Sequence, residues 1–328
     1  MHYSGAEPYV ARGLQILRER IDAADIPPSQ LDESLNVATW NIREFGRVPR
    51  LDASIYYIAE IINQFDLVAL TELRDNLGDL KRVMDLLGSY WDVVFCDFTG
   101  DRGGNSERIA YLFDTRMIVF TGLAAEADPP RRKNSATNEY EARFTWWRPP
   151  YMASFSAGSF DFVVITAHMR WGKSLDDRVN ALAEFAKWVK KRRNDKFATD
   201  NDFIVMGDFN VPKNGDRAHK ALTGNGRVLI MPEQLIGLRG ANLSGKSNYD
   251  QILHSPTSVD RFSGRAGVVD FYAQDWATLY PEAGHRPADF RKFTYEMSDH
   301  LPLWLQIRTD ISDSQLQALA AKAGDHGA

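Results

Sequence analysis

The chain has 328 residues, 44% hydrophobic and 25% charged, the make-up of a soluble globular protein with a large core. A net charge of −5 excludes a bulk electrostatic grip on nucleic acid, while leaving room for a local basic patch. A single cysteine excludes intrachain disulfides and fits a reducing compartment, and no apolar run of about 18 residues marks a membrane span. The N-terminus shows no basic start followed by an apolar segment, so the expected location is the cytoplasm.

Residues 1–33 read as a helical extension. Val10, Leu14, Leu17 and Ile21 recur at helical spacing, and Pro27-Pro28 ends the helix, which is expected to pack on the outside of the core. A larger unit then spans 34–309. Its first core strand is expected at 35–40, a helix at 55–65, a buried strand at 67–70 and a helix at 77–87. Strands follow at 91–95, 109–113 and 117–120. Cys96 closes a strand-like run and reads as a small core residue rather than a nucleophile. The polar segment 121–143, with Pro129-Pro130-Arg131-Arg132-Lys133-Asn134, reads as a solvated loop.

Strands are expected at 144–155 and 160–167, then a helix at 176–193 whose last turn, Lys190 to Arg193, places cations where the helix dipole favours them. A buried strand is expected at 203–206, an irregular Gly- and Asn-rich stretch at 211–248, strands at 250–254 and 268–271, and a long loop at 280–297. Residues 310–328 form a final unit, with an exposed helix at 312–321 and a tail. Strands outnumber helices, and several helices lie between strands. One α/β sandwich with helices on its outer faces follows.

Polar side chains gather where these strands end: Asn41, Glu72, His168, Asp208, Asn210, Asp250, Asp299 and His300. Glu72, Asp208 and Asp299 offer hard oxygen ligands, joined by amide oxygens of Asn41 and Asn210. The absence of a cysteine cluster and of His-x-x-x-His argues against zinc. Oxygen-rich ligation suits Mg²⁺, with Mn²⁺ or Ca²⁺ as alternatives. The two histidines titrate near neutrality and suit proton transfer, with Asp250 and Glu107 available to fix their tautomers. Cation, acid and base at separate points equip a site for in-line attack of water on a phosphodiester.

Seven segments, in order, resemble the endonuclease/exonuclease/phosphatase superfamily, and most closely its deoxyribonuclease I branch. They begin at Asn41-Ile42-Arg43-Glu44-Phe45-Gly46, Thr71-Glu72-Leu73-Arg74-Asp75 and Ser106-Glu107-Arg108-Ile109. Thr166-Ala167-His168, Gly207-Asp208-Phe209-Asn210, Tyr249-Asp250-Gln251-Ile252 and Ser298-Asp299-His300 complete them. The resemblance spans about residues 35–308 and implies a four-layered sandwich of two packed, mostly antiparallel sheets flanked by helices.

It also implies roles. Glu72, Asn41 and Asp299 would hold the cation. His300 held by Asp250 would be the general base, and His168 held by Glu107 the general acid or a phosphate-stabilising group. Asp208 and Asn210 would position the scissile phosphate or a second cation. Arg43, Arg74, Arg108 and Arg148 would contact phosphates or brace the site. The expected activity is cleavage of DNA, or of another phosphodiester, with little sequence preference. A phosphoesterase for a small or lipid phosphate ester is the alternative, and a catalytically silent binding module of the same fold the third possibility. Nothing in the chain sets an oligomeric state. The chain departs from the branch in having one cysteine and no visible signal segment. It also carries Trp146-Trp147-Arg148-Pro149-Pro150, Arg170-Trp171 after His168, and a 281–297 segment expected to shape substrate access.

Overall fold

Side chains along a strand point alternately to opposite faces, and most strands of this chain are apolar on both. Such strands need cover on two sides. In the computed structural model, which describes residues 1–320 other than 263, 314, 318 and 319, they receive it. The chain runs through α1 (Pro8–Asp22), β1 (Ser34–Phe45), α2 (Asp52–Ile62), β2 (Leu67–Leu73), α3 (Gly78–Leu87), β3 (Trp91–Phe95), β4 (Arg108–Asp114) and β5 (Val119–Glu126). It continues through β6 (Arg131–Lys133), β7 (Tyr140–Ala142), β8 (Tyr151–Ala157), β9 (Phe160–His168), α4 (Leu175–Arg193), β10 (Phe203–Asp208) and α5 (Arg217–Thr223). It closes with β11 (Asp250–His254), β12 (Ala266–Val268), α6 (Phe290–Glu296) and β13 (Leu303–Arg308).

A six-stranded sheet has the order β12-β13-β1-β2-β4-β3, and a five-stranded sheet the order β11-β10-β9-β8-β5. Pairing is antiparallel except for β1 with β2 and β9 with β10. Those two parallel pairs are the ones joined through a helix, α2 and α4 respectively, as a parallel crossover requires. The alternation of side chains divides the core into three clusters. Val37, Leu67, Ala69, Phe155, Val164 and Met206 pack between the sheets. Their chain neighbours Ala38, Val68 and Leu70 face α1, α2 and α3. Val163, Ile165 and Val205 face Leu182, Phe185 and Val189 of α4. The result is the expected helix–sheet–sheet–helix sandwich.

Several local expectations give way. The loop at 121–143 is instead the extension of β5 to Glu126 followed by the exposed β6–β7 hairpin. The strand expected at 144–155 begins only at Tyr151; Pro149 and Pro150 carry no N–H for a ladder. Strand β12 lies at Ala266–Val268, not 268–271, with Val269 and Phe271 turned into the core as the chain leaves the sheet. The stretches 211–248 and 280–297 hold two short helices, α5 and α6, each capped by an aspartate: Asp216 accepts from His219 N and Asp289 from Lys292 N. The helix expected at 312–321 lies partly outside the described residues.

The N-terminal helix packs with no room to spare. A Cβ at Gly13 would come within 1.7 Å of the Tyr57 hydroxyl and 2.4 Å of Leu279 O. That hydroxyl donates to Leu279 O at 2.6 Å. Alanine in a helix normally gains about 1 kcal/mol over glycine. Here the clash dominates, so Gly13→Ala is expected to cost about 1–3 kcal/mol, read as a lower midpoint in urea unfolding.

Asp66, buried in the turn before β2, accepts from Asn36 N at 2.7 Å and from the Ser29 hydroxyl at 2.9 Å. Burial nevertheless pushes its carboxyl up to about 6. An acid raised on folding favours the folded state while protonated, and that contribution is lost as pH rises through about 4 to 6. Asp66→Asn keeps an acceptor for Asn36 and cannot ionise. The wild type is expected to lose up to about 3 kcal/mol relative to this variant between pH 4 and pH 7, measured as thermal unfolding across that range.

Candidate active site

One face of each central strand points between the sheets, and following that face to the strand's end leads to the site. On β1 the inward residues are Leu35, Val37, Thr39 and Asn41. On β9 they are Phe162, Val164, Thr166 and His168, and on β10 Ile204, Met206 and Asp208. Glu107 continues the inward face of β4 and Asp250 that of β11. The dry core thus turns polar within two residues, at one end of the sandwich. Register brings the polar ends together: Asp208 pairs directly with His168 on one side and Asp250 on the other. Gly207 allows this. Its φ is +143°, and a Cβ there would sit 2.3 Å from Ala167 O.

Asp208 lies at the middle, almost fully buried. Its Oδ2 accepts from Asn41 Nδ2 at 3.1 Å and faces His168 Nε2 at 3.7 Å and His300 Nε2 at 3.9 Å. Its Oδ1 accepts from Asn210 N at 2.9 Å. Each imidazole is held from behind. Glu107 Oε2 lies 2.7 Å from His168 Nδ1, and Asp250 Oδ2 lies 2.7 Å from His300 Nδ1. A carboxylate only accepts, so both Nδ1 atoms carry protons and both Nε2 atoms are left for chemistry.

Charge sets the proton affinities. Burial disfavours the His300 cation, but the charge and hydrogen bond of Asp250, then Asp208 and Asp299, outweigh it and hold the imidazole well above its ordinary range. His168 is also raised: burial and Arg148 oppose protonation, and Glu107 and Asp208 overcome them. Burial would raise Glu107, but His168, Arg148 and Asn105 bring it below the usual carboxylate range. Asp250 goes the other way, pushed up to about 6 by burial despite His300.

Glu72 reaches the site through strain. Pairing of β2 with both neighbours slips here, between Asn41 and Phe45 of β1 and between Leu70 and Leu73 of β2 itself. Glu72 takes a φ of +65° in that irregularity. A left-handed non-glycine residue costs about 1–3 kcal/mol. In exchange its Oε1 accepts from Asn41 Nδ2 at 3.0 Å and its Oε2 from Glu44 N at 2.9 Å. Asn210, at φ +52°, is turned similarly and donates from Nδ2 to Met169 O at 2.6 Å.

A sequence profile of the endonuclease/exonuclease/phosphatase family matches residues 38–300, which include every one of these groups. The chain belongs to that family. Members of this family hydrolyse phosphate esters. The chain is 26% identical to Deoxyribonuclease-1 of Bos taurus over 192 residues, 56% of this chain, and so spans 62% of the length of that curated relative. An endonuclease/exonuclease/phosphatase family protein from Bacteroides thetaiotaomicron superposes with a TM-score of 0.58 at 20% identity, over 85% of this chain and 99% of the other. A mannosyl-6-phosphatase from Bacteroides thetaiotaomicron VPI-5482 gives 0.54 at 18%, over 83% and 99%. At such identities these two structures show a shared fold.

Within this family frame, the thirteen residues expected at the site divide by what they touch. Asn41, Glu72, Glu107, His168, Asp208, Asn210, Asp250 and His300 form one connected network. Arg148 joins it, with Nε 2.9 Å from Glu107 Oε2 and Nη1 donating to His168 O at 3.3 Å. Arg74 stands behind Glu107 at 3.7 Å. Arg108 is tied to the carbonyls of Arg74 and Asp75 and stacks on Phe98, so it braces the β2 turn. Arg43 donates to the hydroxyls of Thr294 and Tyr295 on α6, with Asp299 3.6 Å from it. Asp299 is 45% exposed and lies on that α6 side.

The donor set fits a hard cation. Asn41 Oδ1 is buried with no protein partner, and two carboxylates converge on the amide of the same residue. Among the described residues no three His, Cys, Asp or Glu side chains alone form a metal cluster. Such a site suits a cation that keeps water and substrate oxygens as ligands, as Mg²⁺ does.

Three residues beyond those expected also shape the site. Ser298 donates to Asn41 O at 2.6 Å and accepts from His300 N at 3.0 Å and Arg43 N at 3.3 Å. Arg178 is buried, stacks 3.6 Å from the centre of the Trp171 ring, and donates to Asn210 O. Tyr249 stands edge-on to Trp171 and 6.1 Å from His300. Position next to Asp299 and Asp250 was the available signal for Ser298 and Tyr249; Arg178 looks in sequence like one more charge on an amphipathic helix. His254 and His285 take no part, stacking on Phe262 and Tyr9.

Ser298 anchors the loop that carries His300 to the end of β1. Ser298→Ala leaves one buried and two partly buried backbone groups without their partner and is expected to cost about 1–3 kcal/mol. Phosphate-ester hydrolysis should fall with it, and Ser298→Thr should recover part of both, followed by unfolding midpoint and turnover on the same preparations.

Proposed function

We propose that this chain is a divalent-cation-dependent phosphodiester hydrolase that cuts DNA internally with little sequence preference. The observation that carries this is the pair of imidazoles facing one carboxylate, each fixed from behind by its own acid. A pure binding surface has no use for two oriented proton carriers. The match to Deoxyribonuclease-1 supports DNA as the substrate. So do the exposed Trp147 and Trp171 at the site's rim, since low-specificity cutters grip phosphates and ring faces rather than base edges.

In this mechanism His300 takes the proton of the attacking water at Nε2 while Asp250 holds its Nδ1–H and steadies the resulting cation. Its high proton affinity makes it a strong acceptor once neutral. His168, as the imidazolium, presents Nε2–H to the leaving oxygen or to a phosphate oxygen, while Glu107 holds its Nδ1–H and stabilises the cation. Asp208 orients both rings, and the Asn210 N–H holds Asp208. Glu72 and Asn41, with Asp299 from the α6 side, would hold the cation, which when bound offsets charge on the phosphate. The lone cysteine supports a reducing, cytoplasmic setting: Cys96 is buried, and burial pushes its thiol up to about 12, leaving it inert. Among the described residues no helix is long and apolar enough to cross a membrane.

Nicking of supercoiled plasmid tests this reading. Cleavage is expected with Mg²⁺ or Mn²⁺ and not with EDTA, and His300→Ala should lower it by about 10²–10⁴-fold. Intact plasmid with bis-p-nitrophenyl phosphate still hydrolysed would move the substrate to a small or lipid ester. Unchanged cleavage by His300→Ala would refute the assignment of the base.

A further inference from the structure

Beside His168 the surface opens into a cavity of about 210 Å³ between the 144–148 segment and the first half of α4. Its inner end is catalytic: His168 and Arg148 form part of the wall. The rest differs in character from the polar centre. Trp146, Trp147, Met169 and Arg170 line it, and α4 contributes the carboxylate of Asp177 and the amide of Asn180. The volume suits one flat ring system and is far too small for a base pair within a duplex.

The Trp147 ring is 50% exposed, an unusual state for so large an apolar group. It is not left loose. The guanidinium of Arg170 stacks 4.2 Å from its centre, and Arg170 makes no ion pair among the described residues. The arginine thus fixes the tryptophan while keeping its own charge available to an anion. The segment holding Trp147 is pinned at its next residue, because Arg148 is bound to Glu107 and His168 O. Pro149-Pro150 then stiffens the return to β8. A preset aromatic face, an unpaired cation and an amide, one residue from the phosphate machinery, are the parts of a nucleobase subsite.

We infer that this cavity receives a single unstacked base next to the scissile phosphate, with Trp147 stacking on it, Arg170 meeting the adjacent phosphate and Asn180 at the base edge. The inference rests on the phosphodiesterase reading and deepens it. A base reaches such a pocket only from single-stranded DNA, a frayed end or a flipped position. The chain therefore favours unpaired over fully paired DNA, a preference that its net charge and motifs do not announce.

The test is equilibrium binding of fluorescein-labelled oligonucleotides to the wild-type protein in EDTA, followed by cleavage of the same oligonucleotides with Mg²⁺. The ligands are a single strand, its duplex, and a single strand with abasic residues. Trp147→Ala is the principal variant; the side chain is half exposed, so the fold tolerates its loss. The single strand is expected to bind more tightly than the duplex, and Trp147→Ala to weaken it by about 5–100-fold, the range for one base stacked on an aromatic ring. Removing the bases should cost the wild type a similar factor and the variant almost nothing. Arg170→Ala should weaken all three ligands and flatten the salt dependence.

Equal losses on normal and abasic strands would overturn the subsite, as would tighter binding of duplex. Competition by mannose 6-phosphate that depends on Trp147 would assign the pocket to a sugar and overturn it likewise. Base-dependent binding without any cleavage would leave the subsite standing and remove the hydrolase. Cleavage without base dependence would do the reverse.

Discussion

The structure turns on one buried carboxylate. Asp208 has Asn41, His168 and His300 about a single oxygen, at 3.1, 3.7 and 3.9 Å. An isolated carboxylate in that position would be costly to desolvate. Two imidazoles able to carry charge and an amide N–H are what compensate it. The dependence runs both ways, because both rings owe part of their raised proton affinity to Asp208. No member of the group makes physical sense without the others, which is why each comes from the end of a different strand or loop.

That convergence follows from the sandwich rather than from local sequence. Two sheets packed face to face bring their inner rows of side chains to a common edge. At that edge apolar packing stops, threonines follow at positions 39, 71 and 166, and the acids, amides and imidazoles come last. Backbone strain gathers at this edge. Glu44, Glu72 and Asn210 all adopt left-handed backbone at strand ends around the site. The buried ladders beneath them, anchored by Trp40 and Phe155 in the clusters on either side of the sheets, are stiff enough to enforce it.

The core strands and the polar network were legible because both obey short-range rules. A period of two marks a strand, and an acid or imidazole that interrupts an apolar run at its end marks a mouth. Other features escaped for physical reasons. Residues 144–150 are aromatic enough to resemble a strand, yet two prolines withhold the N–H groups a ladder needs. Helices α5 and α6 have seven residues each, too short for a helical period to emerge from flanking glycine and polar residues. The partners of the arginines are set by tertiary distance alone: nothing local separates Arg148, which touches the network, from Arg108, which braces a turn. Arg178 is the same case in reverse, a helix residue buried by Trp171 and the carbonyl of Asn210.

The two histidines, alike in sequence, are made unlike by what surrounds them. His168 sits among charges of both signs: Glu107 behind it, Arg148 against Glu107, and Arg74 beyond. Arg148 works against its protonation. His300 meets carboxylates in Asp250, Asp208 and Asp299, and the cation nearest to them, Arg43, is engaged with Asp299 and the hydroxyls of α6. Groups whose surroundings push their proton affinities apart divide the labour of acid and base between them. The ring with the greater affinity is the better acceptor of water's proton, and the ring balanced by arginine gives its proton up more readily. The asymmetry in proton affinity follows from those neighbours, Asp250, Asp208 and Asp299 around one ring and Glu107, Asp208 and Arg148 around the other.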